Sequence, residues 1–493
     1  MLKNALTPTG GIDYKEKAKA LSLSLCDLQL KMKEKKLPVI VVFEGWGASG
    51  KGTLIAHTIK LLDPRFFKVT STVSATDEEK RYPMMKRYFE GIPEYGKLSV
   101  MDRSWYRELA AARIEDGISD EQYRERTESV KTFERQLTDD GYLIIKMFLD
   151  IPKDEQKKRF DKLERSGSTK WRVTDRDIYQ NKHYDKYAKA YDEMIAATST
   201  ENSPWYVIDT QDKQFARYTL FEILVGRISA ALGAAVTYPE PKDVKLLFDL
   251  KPTPLLKDVE LKSRIADPDT YKQRLDELQK ELSKLHGKLY KMKIPVILAF
   301  EGWDAAGKGG AIKRVGAALD PRGYEAVPTA APDATEKAHH YLWRFWKKVP
   351  KDGHITIFDR TWYGRVMVEK LEGFTPPERC AMAYREINEF ERELSQSGMV
   401  VMKFWMQIDK DEQLRRFTDR QNTPEKQWKI TDEDWRNREK WDLYEAAVDE
   451  MIQKTSTVYA PWTIVEGNDK RFARLKVLET VIERLKEEIK VRK

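Results

Sequence analysis

The chain has 493 residues, with 88 lysines and arginines against 80 aspartates and glutamates; its formal charge is +8, and 41% of its residues are hydrophobic. That length holds two to four domains at roughly 100–200 residues each, and no apolar run approaches the roughly 18–20 residues of a bilayer span, which excludes a membrane protein. Met1-Leu2-Lys3-Asn4-Ala5 lacks the apolar core of a secretory signal, and two cysteines, Cys26 and Cys380, cannot build a disulfide framework, so a reducing cytoplasm is expected.

In chain order the first predicted strand is Val39 to Phe43, a β-branched apolar run, followed by Glu44-Gly-Trp-Gly-Ala-Ser-Gly-Lys51-Gly. The passage returns as Val296 to Phe300 followed by Glu301-Gly-Trp-Asp-Ala-Ala-Gly-Lys308-Gly, an offset of 257 positions from Lys51 to Lys308. The same offset relates Asp102-Arg103 to Asp359-Arg360, Phe133-Glu-Arg to Phe390-Glu-Arg, and Phe215-Ala-Arg217 to Phe472-Ala-Arg474. A constant offset over this span means one domain duplicated without gaps, on a period far too long for a solenoid.

Further strands are predicted at Leu98 to Met101, Leu143 to Leu149 and Trp205 to Ile208, with counterparts at Ile355 to Phe358, Val400 to Met406 and Trp462 to Val465. Helical patterns separate them, including 269–292 with leucines at 275, 278, 282, 285 and 289. Such alternation predicts an α/β fold in two tandem copies, each a parallel sheet covered on both faces. The prolines of Tyr238-Pro-Glu-Pro and Lys251-Pro-Thr-Pro resist regular structure. The copies are therefore assigned to 1–234 and 269–493, with 235–268 as a linker packed across the surface.

The chemistry begins with Gly302-Trp-Asp-Ala-Ala-Gly-Lys308-Gly309-Gly310 between strand and helix. Glycines at 302, 307, 309 and 310 let backbone N–H groups turn toward phosphate oxygens, the helix N-terminus adds its dipole, and Lys308 supplies a mobile cation. Gly309 stands where a nucleoside-triphosphatase loop has the Ser or Thr that holds magnesium. Another ligand is needed, and Asp304 inside the loop is the candidate; the alternative is a loop-capping aspartate. Asp359, ending a strand, reads as a second carboxylate that orients magnesium. Arg360 offers phosphate a bidentate fork, or else pairs with a helix acid. Downstream, the basic stretch from Arg415 and Arg416 through Arg420 and Lys426 to Lys429 reads as a lid closing over phosphates, or as a solvated helical hairpin. Lys308, Lys313, Arg314 and Lys337 line a cation track or are ordinary helix charges. His339 and His340 are adjacent and suggest no zinc spacing. Trp303 is available to pack near a base.

Glu301-Gly-Trp-Asp-Ala-Ala-Gly-Lys-Gly-Gly310, Asp359-Arg-Thr-Trp-Tyr363 and Lys426-Gln-Trp-Lys429 together resemble the polyphosphate kinase 2 family, and the duplication resembles its two-domain class. The resemblance covers both copies. It implies a thymidylate-kinase-like P-loop fold, a three-layer sandwich with a helical lid. It also implies transfer of a terminal phosphoryl from inorganic polyphosphate to AMP, giving ADP, with Mg²⁺. By position, Asp304 and Asp359 would be the magnesium-associated carboxylates. Lys308, Arg360 and Arg420 would be catalytic phosphate holders, with Arg365, Lys426 and Lys429 as further binding candidates.

The copies differ where this chemistry sits: Asp304 faces Gly47 across the alignment, Gly310 faces Thr53, Arg365 faces Glu108, Arg420 faces Leu163 and Lys426 faces Thr169. The second copy is therefore expected to be catalytic and the first a degenerate scaffold, with Lys51 retained for anion binding. An internal pseudo-dimer is expected, a homodimer of the whole chain being a further alternative, and neither nucleic acid nor membrane is expected as a partner. The rival readings are an ATP-dependent nucleoside monophosphate kinase, which the missing Ser or Thr and the internal Asp304 oppose, and a nonenzymatic polyanion-binding scaffold.

Overall fold

The computed structural model describes residues 2–235 and 237–492, apart from the side chains of Lys426 and Lys429. The first copy carries strands β1 (Val39–Gly45), β2 (Phe67–Ser71), β3 (Leu98–Asp102), β4 (Leu143–Asp150) and β5 (Trp205–Asp209). The second carries β6 (Val296–Gly302), β7 (Tyr324–Pro328), β8 (Ile355–Asp359), β9 (Val400–Gln407) and β10 (Trp462–Glu466). The sheets have the same order, β2-β3-β1-β4-β5 and β7-β8-β6-β9-β10, and every pairing is parallel. Parallel neighbours require helical crossovers, and these cover both faces of each sheet.

Along β1 the two faces alternate. Val39, Val41 and Phe43 join a cluster with Leu25, Leu28, Phe215 and Leu220 of helices Tyr14–Glu34 and Lys213–Gly233. The opposite face of β4 carries a fully buried ion pair, Lys146 Nζ to Glu134 Oε2 at 2.7 Å, with Tyr106 OH and the Thr198 carbonyl as its other partners. The second copy repeats it with Lys403, Glu391, Tyr363 and Thr455. Each ammonium thus has three oxygen partners, which is what a charge in a dry interior needs.

The eight predicted strands are all present, most of them extended by a residue or two. Two more, β2 and β7, lie at sheet edges with an exposed-rich pattern that apolar runs do not reveal; Pro328 closes β7, a position open to proline only at an edge. The leucine-patterned helix runs Pro268–Met292 and buries Leu278, Leu282, Leu285 and Leu289. The proline-rich stretch is irregular but anchored: the Leu256 N–H donates to Asp449 Oδ1 at 2.9 Å, and Val244, Phe248 and Leu256 are buried.

Two compact units result. One comprises residues 1–76, 87–237 and 334–340; the other comprises 77–86, 238–333 and 341–493. The short stretches 77–86 and 334–340 each belong to the unit built mainly from the other copy. Within the first unit the Tyr95 N–H donates to the Ala338 carbonyl at 2.8 Å, and within the second the Asp352 N–H donates to the Arg81 carbonyl at 2.8 Å. No described helix is long and apolar enough to cross a membrane.

Candidate active site

At the C-terminal edge of the second sheet the chain turns sharply out of β6. Gly302 has φ +149°, and a Cβ there would stand 2.6 Å from the Met406 carbonyl oxygen, so only glycine fits. Gly307, at φ +108°, leads into helix Lys308–Gly316 and offers no side-chain cap, which leaves that helix's first N–H groups to a ligand. Lys308 Nζ folds back onto the loop carbonyls of Gly302 (2.6 Å) and Trp303 (3.3 Å). Arg416 braces the loop from behind, donating to the carbonyls of Ala305 at 2.9 Å and Ala306 at 3.0 Å, while Glu412 holds its other edge.

Asp304 projects from this loop. Its Oδ1 accepts from Arg360 Nη2 at 3.2 Å, its Oδ2 from Asn437 Nδ2 at 3.2 Å, and its backbone carbonyl from Gln413 Nε2 at 3.2 Å. Asp359 ends β8 opposite Phe300, and among the described residues its carboxylate has no hydrogen bond or ion pair. Arg360 is left-handed at φ +64°, a strained conformation for arginine that is repeated at Arg103 with φ +63°. Burial works against the Arg360 charge, but Asp304, Glu301, Glu433 and Asp359 outweigh it and hold the guanidinium above its ordinary value. Glu301 lies buried beneath, accepting from the Thr361 N–H at 2.7 Å and its hydroxyl at 2.8 Å; burial pushes its carboxyl up.

The structure thus gathers Gly302, Asp304, Gly307, Lys308, Gly309, Gly310, Asp359 and Arg360 at one sheet edge. A side chain at 309 would meet nothing within 4 Å, so the glycine there is not a steric demand. The other sequence candidates sit on elements of their own. Arg365 donates to Thr375 and pairs with Glu369 at 3.1 Å, its guanidinium 4.3 Å over the Tyr341 ring. Arg420 occupies the last turn of helix Lys410–Gln421, half-buried. Lys426 and Lys429 fall in the short helix Pro424–Lys429, and their side chains lie outside the described residues.

Some expectations are corrected. Trp303 does not face a ligand; it is buried, stacked on Trp441 with centroids 3.7 Å apart, and its indole N–H donates to Gln407 at 2.9 Å. Arg416 braces the phosphate loop, and Arg415 is a surface pair with Glu412. Lys337 falls in the stretch that belongs to the first unit, so the second unit does not contain the whole cation track. Sequence reading missed the bracing group Asn437, Gln413 and Arg416, because nothing local distinguishes such residues from surface polarity.

Among the described residues no three His, Cys, Asp or Glu side chains form a metal site by themselves. Two carboxylates, one of them without a partner, still suit a magnesium ion that travels with phosphate, since that ion takes one or two carboxylates and completes its shell with phosphate oxygens and water.

The first copy is built differently at the same place. Gly47 stands where Asp304 would, its N–H donating to Gln180 Oε1 at 2.9 Å and its carbonyl accepting from Gln156 at 3.2 Å. A Cβ on Gly47 would lie 2.4 Å from Asp177 Oδ1. Glu108, in place of Arg365, is tied to Arg87 at 2.6 Å.

A parallel sheet of this order, a glycine loop and lysine leading off its central strand, and an Asp-Arg pair on the neighbouring strand define a P-loop kinase-like fold arranged to hold phosphates. The chain belongs to the polyphosphate kinase 2 (PPK2) family, whose model matches residues 11–234 and 265–493. It is 40% identical over 449 residues to a polyphosphate:AMP phosphotransferase of Pseudomonas aeruginosa, covering 91% of this chain and 90% of that one. Identity to the Pseudomonas syringae pv. tomato protein of the same name is 39% over 458 residues, covering 92% and 91%. A Pseudomonas aeruginosa crystal structure assigned to polyphosphate kinase 2 superposes with a TM-score of 0.86 at 36% identity, covering the whole of both chains.

Proposed function

We propose that this protein moves the terminal phosphoryl group of inorganic polyphosphate to AMP, giving ADP and a chain one unit shorter. The observation that carries the proposal is Asp304 inside the phosphate loop, gripped by Arg360 and Asn437, with the carboxylate of Asp359, which has no hydrogen bond or ion pair among the described residues, ending the neighbouring strand. The named relatives of matching length support it.

The attacking atom is a phosphate oxygen of AMP, which at neutral pH is already largely deprotonated, so no side chain has to remove a proton. A bond forms from that oxygen to the terminal phosphorus, the bridging P–O bond breaks, and the shortened chain leaves as an anion. The protein's task is alignment and neutralisation of charge. The loop N–H groups seat phosphate oxygens, Lys308 leaves the loop carbonyls to meet them, and Arg360 supplies a planar fork. Asp304 and Asp359 would hold Mg²⁺, which when bound neutralises phosphate oxygens. The second copy is the catalytic one in this reading, because only it carries Asp304. Incubating the full chain with AMP, Mg²⁺ and polyphosphate as sole donor, against ATP as sole donor, tests the proposal: ADP is expected with polyphosphate, and ADP formed only with ATP overturns it.

A further inference from the structure

Arg360 is left-handed at φ +64°, and its ion pair with Asp304 is not what bends it. In the first copy the matching Arg103 keeps φ +63°, although Gly47 stands in the place of Asp304 and offers no carboxylate. Left-handed backbone is disfavoured for any residue with a side chain like arginine's and persists only where its neighbours over-determine it. What the two copies share is a clamp on either side of the turn.

On the near side the Arg360 N–H donates to the Phe300 carbonyl at 3.0 Å, as the Arg103 N–H does to Phe43 at 2.9 Å. On the far side one carboxylate oxygen takes both donors of the next residue: Glu301 Oε1 accepts from the Thr361 N–H at 2.7 Å and from its hydroxyl at 2.8 Å. Glu44 Oε1 does the same for Ser104, at 2.8 and 2.9 Å. The Thr361 hydroxyl oxygen in turn accepts from the Tyr363 N–H at 3.2 Å, at the start of the short helix Trp362–Val366. Glu301 and Glu44 are both buried, a place that disfavours a carboxylate unless its oxygens are hydrogen-bonded. Glu301 follows Phe300 and precedes Gly302, so β6 delivers the clamp and the phosphate loop from consecutive residues. One strand thereby sets the spacing between Arg360 and Asp304.

We infer that Glu301 is a positioning residue for phosphoryl transfer: its Oε1, by holding Thr361, keeps Arg360 left-handed and its guanidinium beside Asp304. The inference rests on the proposed function, in which Arg360 meets phosphate. The rival use of the buried carboxylate is as a counter-charge to Lys308 and Arg360, both of which favour its charged form against burial. A clamp needs an acceptor oxygen, whereas a counter-charge needs the negative charge.

The test is a double-mutant cycle on ADP formation by the full chain. Glu301→Ala is expected to lower kcat/KM about 10–100-fold. In an Arg360→Ala background it is expected to cost no more than about twofold, because a residue that acts through another then has nothing left to act on. Glu301→Gln keeps an oxygen where both donors point and is expected to recover most of the rate. Glu44→Ala, the same truncation in the first copy, is expected to leave ADP formation as it was. A crystal structure of Glu301→Ala is expected to show Arg360 out of the left-handed region and parted from Asp304. Should that variant not fold, Thr361→Val, which drops the hydroxyl bond alone, carries the cycle, with a smaller loss that again disappears beside Arg360→Ala. The inference is overturned if the two losses add, if Glu301→Gln is as slow as Glu301→Ala, if Glu44→Ala slows the enzyme equally, or if Arg360 keeps its φ and its ion pair without Glu301. The cycle uses whichever donor yields ADP, so activity with ATP alone would bear on the transfer proposal and not on this one, and the φ of Arg360 is read without any activity.

Discussion

Arg360 reaches across from the end of β8 to the Asp304 carboxylate in the phosphate loop, Nη2 to Oδ1 at 3.2 Å, and Asn437 holds the other oxygen of the same carboxylate. A carboxylate fixed from two sides keeps its place when neutralised. Asp304→Asn is therefore expected to fold with an unchanged unfolding midpoint while ADP formation falls about 10²–10³-fold, measured at saturating polyphosphate. Activity within tenfold of the parent would remove Asp304 from the chemistry.

Asp359 has no side-chain partner to lose among the described residues. Asp359→Asn is expected to leave denaturant stability within about 0.5 kcal/mol and to raise the Mg²⁺ concentration needed for half-maximal rate, read from a metal titration of ADP formation.

The buried pair beneath the site behaves in the opposite way. Lys403 and Glu391 are both fully buried at 2.8 Å, and Lys403→Met would strand the carboxylate. A loss of about 3–5 kcal/mol is expected by urea unfolding, with the Lys403→Met/Glu391→Leu double variant recovering much of it.

Glu450 gives a pH signature. Burial would raise its carboxyl, but the ammonium groups of Lys370 and Lys454, at 2.5 and 2.7 Å, hold it down to about 2 from an ordinary 4.5. A depressed folded-state value means stability that is fully present above pH 4.5 and lost as pH falls toward 2. Glu450→Gln is expected to flatten the fall in unfolding midpoint across that window, with little effect on its slope above pH 5.

Restoring the missing carboxylate in the first copy is expected to fail. With Asp177 Oδ1 2.4 Å from where a Cβ would sit, Gly47→Asp should cost about 1–3 kcal/mol of stability by overpacking, read by denaturant unfolding.

Much of this was legible in the residues. The loop, Asp304, Asp359 and Arg360 announce themselves because each sits where a strand ends, and strand ends can be read from apolar runs. The central strands are dense in β-branched residues for the same reason. β2 and β7 escaped because an edge strand buries little, and Tyr324-Glu-Ala-Val-Pro328 has no apolar continuity to betray it. Arg416 and Asn437 escaped because their partners, the Ala305 carbonyl and the Asp304 carboxylate, are more than a hundred residues away in sequence. Trp303 misled because it lies inside the motif, while its stacking partner Trp441 starts helix Trp441–Thr455, far along the chain.

Stretches 77–86 and 334–340 fall at matching positions of the duplication, yet each completes the compact unit that is otherwise made from the opposite half. A gene cut in the proline-rich connector would therefore yield two polypeptides, each missing a piece of itself and carrying a spare. Neither half can be separated at the connector without its compact unit losing a segment that it contains.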